Sequence, residues 1–357
     1  MKKKQWIVYG IVAAALLGLG LWVASRVHFD WATFFDQIRH VDWRHIAVGV
    51  ALIWLGYGMR AARWAILLKP QKRVTGRSLI GSQVIGYTAV ALLGRPAELV
   101  RLYLVARRTR LTFSSQVAVY TVERMFDLGA MALIFSAALL LAPDRATLPH
   151  HEALQRSAVV GLVLAIALAV FGFVVRVSGN AVAGSIEKAV VGVSPKLGHS
   201  IGNKIRAFRD GLNAIHSFWD FLSSLAISLL MWGMIVTAYL ETTHSFVLSP
   251  QLASMTLGRC MVLIATSMAA SSIQLPVIGW FTQTGFIAGV MQKVFDVAPA
   301  PALGCGAMLL IVTFLSVIPL GLVWARFEHV SLQQISEESE HLVEESDTPQ
   351  AVAASEA

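Results

Sequence analysis

Charge is what this chain has least of. Of its 357 residues only 14% are charged and 56% are hydrophobic, against about 25% charged in an ordinary soluble domain. With a mean hydropathy of +0.65, that shortage excludes the soluble classes and leaves a membrane protein. Cysteine is almost absent too. Cys260 and Cys305 each sit in an apolar run, with no CxxC and no Cys/His cluster. A disulfide framework and a structural zinc site are therefore excluded, and both thiols read as small buried groups. Catalytic signatures are missing as well: no GxSxG, phosphate-binding loop, HExxH or dinucleotide fingerprint occurs. The expectation is a protein that is no enzyme and needs no metal or other cofactor. Finally, Lys and Arg are absent from Phe327 to Ala357, where eight acidic residues fall. The net charge of +8 is thus an average of a −8 tail and a +16 body.

What is present is a series of long apolar runs. Trp6–Ala24, Ile46–Leu68, Thr112–Ala142, Ala158–Val175, Trp219–Leu240 and Pro301–Trp324 each suit a membrane span. Residues 78–105, interrupted by Gly81, Gly86, Gly94 and Pro96, and 252–292, interrupted by Pro276 and Gly279, read as broken helical hairpins that enter and return. The fold class expected is an all-α polytopic membrane protein. It has about six to eight transmembrane helices, two broken or re-entrant hairpins, and the outline of an inverted repeat. Residues 1–326 form the membrane domain. Within it, 180–217 is a basic connector carrying an amphipathic helix (Ile201, Ile205, Phe208, Leu212, Ile215), and 327–357 is an acidic tail expected to be disordered. The first span resembles a signal peptide but is read as uncleaved. The amino terminus, the loops at 69–77, 101–110 and 176–218, and Arg326 hold 18 Lys/Arg, and the opposite side holds 6. This places both termini in the cytoplasm. The basic loops fit anionic lipid head groups or plain topology signals, and they lie too close to the spans for nucleic acid.

Three polar clusters interrupt the apolar background. Arg60 and Arg63, three apart on one helix, either snorkel to the head groups or line a site for them. In Gly94-Arg95-Pro96-Ala97-Glu98, with Arg101 following, a helix that starts near Pro96 directs free N–H groups at whatever precedes it. Arg95 strengthens that anion site, while Glu98 is set to reach Arg101. The plainer reading is a surface turn with a local ion pair. In the third cluster Glu123 and Asp127 share a helix face, and Arg124 reaches Asp127. Isolated charges there are costly, so the cluster is either a paired structural network or a proton-coupling site. Arg259 is its candidate counterpart in the second half.

In this order and spacing, Arg60-Ala61-Ala62-Arg63-Trp64 with Leu67-Leu68, Gly94-Arg95-Pro96-Ala97-Glu98 with Arg101, and Glu123-Arg124 with Asp127 resemble the flippase-like transmembrane region of lysylphosphatidylglycerol synthases. The resemblance covers about residues 1–326. It implies an inner-membrane protein that moves or handles polar-headed lipids. The aminoacyl-transferase domain of the fused members is not expected, because an acidic tail follows the spans. One departure stands out: Trp280 and Phe281 replace small residues, and Gln283 stands about where a carboxylate belongs.

The leading expectation is a lipid flippase-like protein whose partners are membrane phospholipids with anionic or zwitterionic head groups. Arg60, Arg63, Arg95, Glu98 and Arg101 bind the head group. Glu123, Arg124, Asp127, Arg259 and Gln283 form the polar network that opens and closes the path. The alternative is a non-transporting scaffold of envelope biogenesis that uses the network only to fold. A homo-oligomer is left open.

Overall fold

The computed structural model describes residues 30–94, 97–141, 152–167, 170, 217–271 and 278–328. The first span, Arg95 and Pro96, the amphipathic helix of the connector, Pro276 and most of the acidic tail lie outside the described residues.

Helix α1 (Trp31–Arg39) opens the described chain. Its cap is built into the sequence. The Asp30 carboxylate accepts from the Thr33 amide at 2.9 Å. Helix α2 (Trp43–Leu68) follows, capped by Asp42, whose carboxylate accepts from the Arg44 amide at 2.9 Å. A hairpin comes next, made of α3 (Gly76–Leu93) and α4 (Glu98–Thr109). Gly94 makes the break possible. Its φ of 83° and ψ of −168° lie where only glycine is comfortable. Lys72, just after α2, donates to the Thr109 carbonyl at the end of α4 at 2.9 Å. The hairpin therefore returns to the end from which it started.

Helix α5 (Phe113–Leu140) then runs the length of the body. A further helix, α6, covers 152–167. It starts earlier than sequence reading placed it. An exposed Glu152–Arg156 pair one turn apart (3.4 Å) falls inside it, ahead of the apolar run that begins at Ala158.

Helix α7 (Phe218–His244) lies antiparallel to α2 and is fastened to it at both ends. Lys69 meets Asp220 at 2.9 Å at one end, and His45 meets Glu241 at 2.5 Å at the other. The turn α8 (Pro250–Ala253) leads to a second hairpin, α9 (Leu257–Ala270) and α10 (Ile278–Phe295). It begins at the far end, where His244 meets the Met255 carbonyl at 2.9 Å. It also ends there, where Arg259 stands over the Phe295 ring at 5.8 Å. The two hairpins thus enter from opposite faces. Each is flanked by full-length helices, and the order span, hairpin, span recurs with reversed sense. That is the geometry of an inverted repeat.

The last span is α11 (Pro299–Leu310), one π turn (Ile311–Leu315) and α12 (Val317–Phe327). Pro319 explains the widening: it has no N–H to give and crowds the carbonyl four residues back. Side chains occupy carbonyls exposed there, Trp54 donating to Ser316 at 3.1 Å and Thr88 to Val317 at 3.2 Å.

Three helices among the described residues, Trp43–Leu68, Phe218–His244 and Pro299–Phe327, are long and apolar enough to cross a membrane. The α5 helix has the length but carries Glu123, Arg124 and Asp127. Exposed aromatics mark both ends of the body: Phe218, Trp219 and Phe327 near Lys69, and Trp31, Phe35 and Trp43 at the far end. This is where ring side chains sit at a bilayer boundary.

Candidate functional site

The polar centre lies between α2, α3, α4, α5 and α7. By helix rise, Arg63 and Arg60 stand about 8 and 12 Å inside the α2 end that carries Lys69. Arg63 is fully buried and does not snorkel. Its Nη1 donates to Asp127 Oδ1 and to Ser228 Oγ, both at 2.6 Å, and its Nη2 donates to Glu123 Oε1 at 2.9 Å. One side chain of α2 thereby ties α5 to α7. Arg101 comes from the other direction. Its Nη2 donates to Glu123 Oε2 at 2.8 Å, and its Nη1 to Gln83 at 3.1 Å and Tyr87 at 3.1 Å. Glu123 is thus clamped between two buried guanidiniums. Arg124 adds contacts to Asp127 at 3.3 Å and Glu123 at 3.6 Å, but 37% of its side chain is exposed.

Aromatic rings fill the space between these charges. Arg101 stands over Trp64 at 4.6 Å, Tyr87 at 5.0 Å and Tyr120 at 5.4 Å. Arg60 donates to the Tyr87 hydroxyl at 2.8 Å, and Arg124 covers Tyr120 at 5.0 Å. Such faces attract cations, so the rings hold the guanidiniums in place while excluding water. Backbone packing sets the approach: a Cβ built on Gly86 lies 2.6 Å from Arg101 Cβ and 2.9 Å from its Cα. Only glycine lets α4 come close enough to α3 for Arg101 to lie between Gln83 and Tyr87.

Of the residues singled out from the sequence, Arg60, Arg63, Arg101, Glu123, Arg124 and Asp127 converge on this centre. Glu98 stands at its edge, where it accepts from the Tyr120 hydroxyl. The expected Glu98–Arg101 pair gives way to Arg101–Glu123, because Glu123 lies closer to the buried axis and answers two cations at once. Gln283 is in the second half, its amide donating to Ser267 at 2.6 Å, and Arg259 is at the far end over Phe295. Phe281 faces outward at 74% exposure. Arg95 lies outside the described residues.

Sequence reading did not single out Gln83, Tyr87, Tyr120 or Ser228 as site residues. A signal was available: Gln83 and Tyr87 are one helical turn apart in an apolar run, as are Ser224 and Ser228. Among the described residues no three His, Cys, Asp or Glu side chains converge as a metal requires.

A family model described as the lysylphosphatidylglycerol synthase TM region matches residues 7–323. The chain belongs to that family. All ten residues singled out lie within the matched stretch of this lysylphosphatidylglycerol synthase TM-region protein, so the buried centre is part of the family domain. Family membership joins the apolar helices in identifying a multi-pass membrane protein related to lipid handling. Comparison with curated proteins and with solved structures returned no match.

Proposed function

We propose that this protein is a flippase-like lipid transporter of the cell inner membrane, with both termini in the cytoplasm and no catalytic activity of its own. It takes the polar head group of a membrane phospholipid into the centre around Arg63 and Glu123 while the acyl chains stay in lipid. One observation carries this reading: an ionised cluster enclosed among the helices of a lipid-handling membrane family, with Arg124 left reachable from outside. Charge inside a membrane body is costly and marks a path for something polar. In this role Arg60 and Arg124 meet the head group. Arg63, Arg101, Glu123 and Asp127 hold the wall they stand on. Arg95, Glu98, Arg259 and Gln283 serve the approaches, and a homo-oligomer is compatible with all of it.

The test is translocation of fluorescent phospholipid in proteoliposomes of purified protein, comparing the wild type with Arg60→Gln/Arg124→Gln. Wild-type translocation lost in the double variant is the expected result. Translocation by the wild type no faster than in empty liposomes refutes the reading. A second reading, a scaffold that does not transport, is favoured by the way Arg63 ties three helices together. The wild-type arm of the same assay separates the two.

A further inference from the structure

Among the described residues, the centre has more positive charge and more hydrogen-bond donors than its own side chains satisfy. Four guanidiniums (Arg60, Arg63, Arg101 and Arg124) face two carboxylates, Glu123 and Asp127. Counting Glu98 at the edge still leaves cations ahead, four to three. Arg60 makes its hydrogen bond to the neutral Tyr87 hydroxyl.

The orphan atoms point the same way. Among the described residues, Arg63 Nε, Gln83 Nε2 and Arg124 Nε are buried without a hydrogen-bond partner, and all three are donors. Gln83 is itself fully buried, and its oxygen is already taken by Arg101. Ser224 Oγ, the other buried orphan on this side, is a hydroxyl that can donate too. Unpaired buried N–H groups of this kind are rare and call for an acceptor.

Resting on the lipid-handling reading above, we infer that the centre is built for a phosphate carrying net negative charge, with no amine to balance it. A phosphate supplies several acceptor oxygens and the missing charge together, and guanidinium is its natural partner. A zwitterionic head group supplies the oxygens but brings its own cation, and, where that cation is a primary ammonium, its own donors as well. An aminoacylated head group, the kind named in the family's description, brings still more. The centre therefore selects net-anionic phosphate over both. The source is either a phospholipid head group or free phosphate.

The test uses the full chain in detergent and follows tryptophan fluorescence on titration with short-chain phosphatidic acid, phosphatidylcholine and inorganic phosphate. Phosphatidic acid is expected to bind at least about ten-fold more tightly than phosphatidylcholine. Arg124→Gln is expected to remove about ten-fold or more of that affinity, as loss of a charge-assisted hydrogen bond does. The effect on phosphatidylcholine is expected to be much smaller. Arg60→Lys, which keeps the charge and gives up the planar fork, provides an intermediate value should Arg124→Gln fold poorly.

Inorganic phosphate that competes with the lipid identifies free phosphate as the source; phosphate that does not compete identifies the lipid. Equal affinity for phosphatidic acid and phosphatidylcholine overturns the inference. Translocation without charge preference sinks it and leaves the transporter reading standing. Anionic-selective binding without translocation of any lipid does the reverse.

Discussion

Glu123→Gln is the most informative single change. The carboxylate is fully buried and accepts from Arg63 at 2.9 Å and Arg101 at 2.8 Å. The amide has nearly the same shape, so no cavity forms and packing around Trp64 and Tyr87 is kept. What changes is the charge. Two buried guanidiniums lose their shared anion, and the amide NH2 faces one of them donor to donor. Breaking a buried pair by neutralising one partner costs about 3–5 kcal/mol. At about 1.4 kcal/mol per factor of ten, that is two to three and a half decades in the folding equilibrium.

Reversible unfolding in mixed micelles, followed by tryptophan fluorescence, measures the effect. Three variants bracket it. Glu123→Asp retains the charge at a shorter reach and is expected to lose less. Arg101→Met alone is expected to be costly. Combined with Glu123→Gln it should cost less than the two single changes added, because an orphaned cation goes with its anion. A Glu123→Gln protein within about 0.5 kcal/mol of wild type, the range of ordinary surface changes, refutes the claim that this carboxylate holds the centre together.

Other expectations follow from the same geometry. Gly86→Ala pushes a methyl group into Arg101, so an overpacking loss of about 1–3 kcal/mol is expected. Gly129→Ala, with open space around it, should be neutral or gain up to about 1 kcal/mol in helix propensity; thermal unfolding of the two compares them directly. Ser228→Ala removes one neutral acceptor from Arg63 and should cost about 1–3 kcal/mol in the same assay. Asp220→Asn breaks the contact with a half-exposed Lys69 and should cost at most about 1 kcal/mol, with the difference fading as salt is added.

Much of the architecture was legible because it rests on local signals. Three of the apolar runs gave spans seen among the described residues, Trp43–Leu68, Phe218–His244 and Pro299–Phe327, and Gly94 gave the turn of the first hairpin, since its backbone geometry is one that other residues resist. The two α3–α4 and α9–α10 hairpins were expected as broken segments. That they enter from opposite faces needed the contacts of Lys72 with Thr109 and of Arg259 with Phe295. Helix α1 is clearly amphipathic, but its nine residues, with Asp36 and Arg39 among them, are too few and too polar to stand out beside the long apolar runs. The π turn was missed because Pro319 sits inside a strongly apolar run.

The site was legible in part for a related reason. Charges inside apolar sequence are conspicuous, so Arg63, Arg101, Glu123 and Asp127 stood out. Their pairing did not, because it depends on which helices meet and how closely. Glu98 is three residues from Arg101, yet Arg101 reaches Glu123 across the α4–α5 interface. How closely α3 and α4 pack is set by Gly86, which the sequence marks only as an interruption of an apolar stretch. Uncharged partners such as Gln83, Tyr87 and Ser228 were missed because singly they look like ordinary members of an apolar helix.

On the inference above, unbalanced guanidinium charge inside the helix body is answered by a phosphate from outside. A cryo-electron microscopy map of the full chain in nanodiscs rich in anionic phospholipid tests it most directly. Tetrahedral density within hydrogen-bond distance of Arg60 or Arg124, continuous with lipid or isolated, is the expected result. A well-resolved map with no such density between them contradicts it.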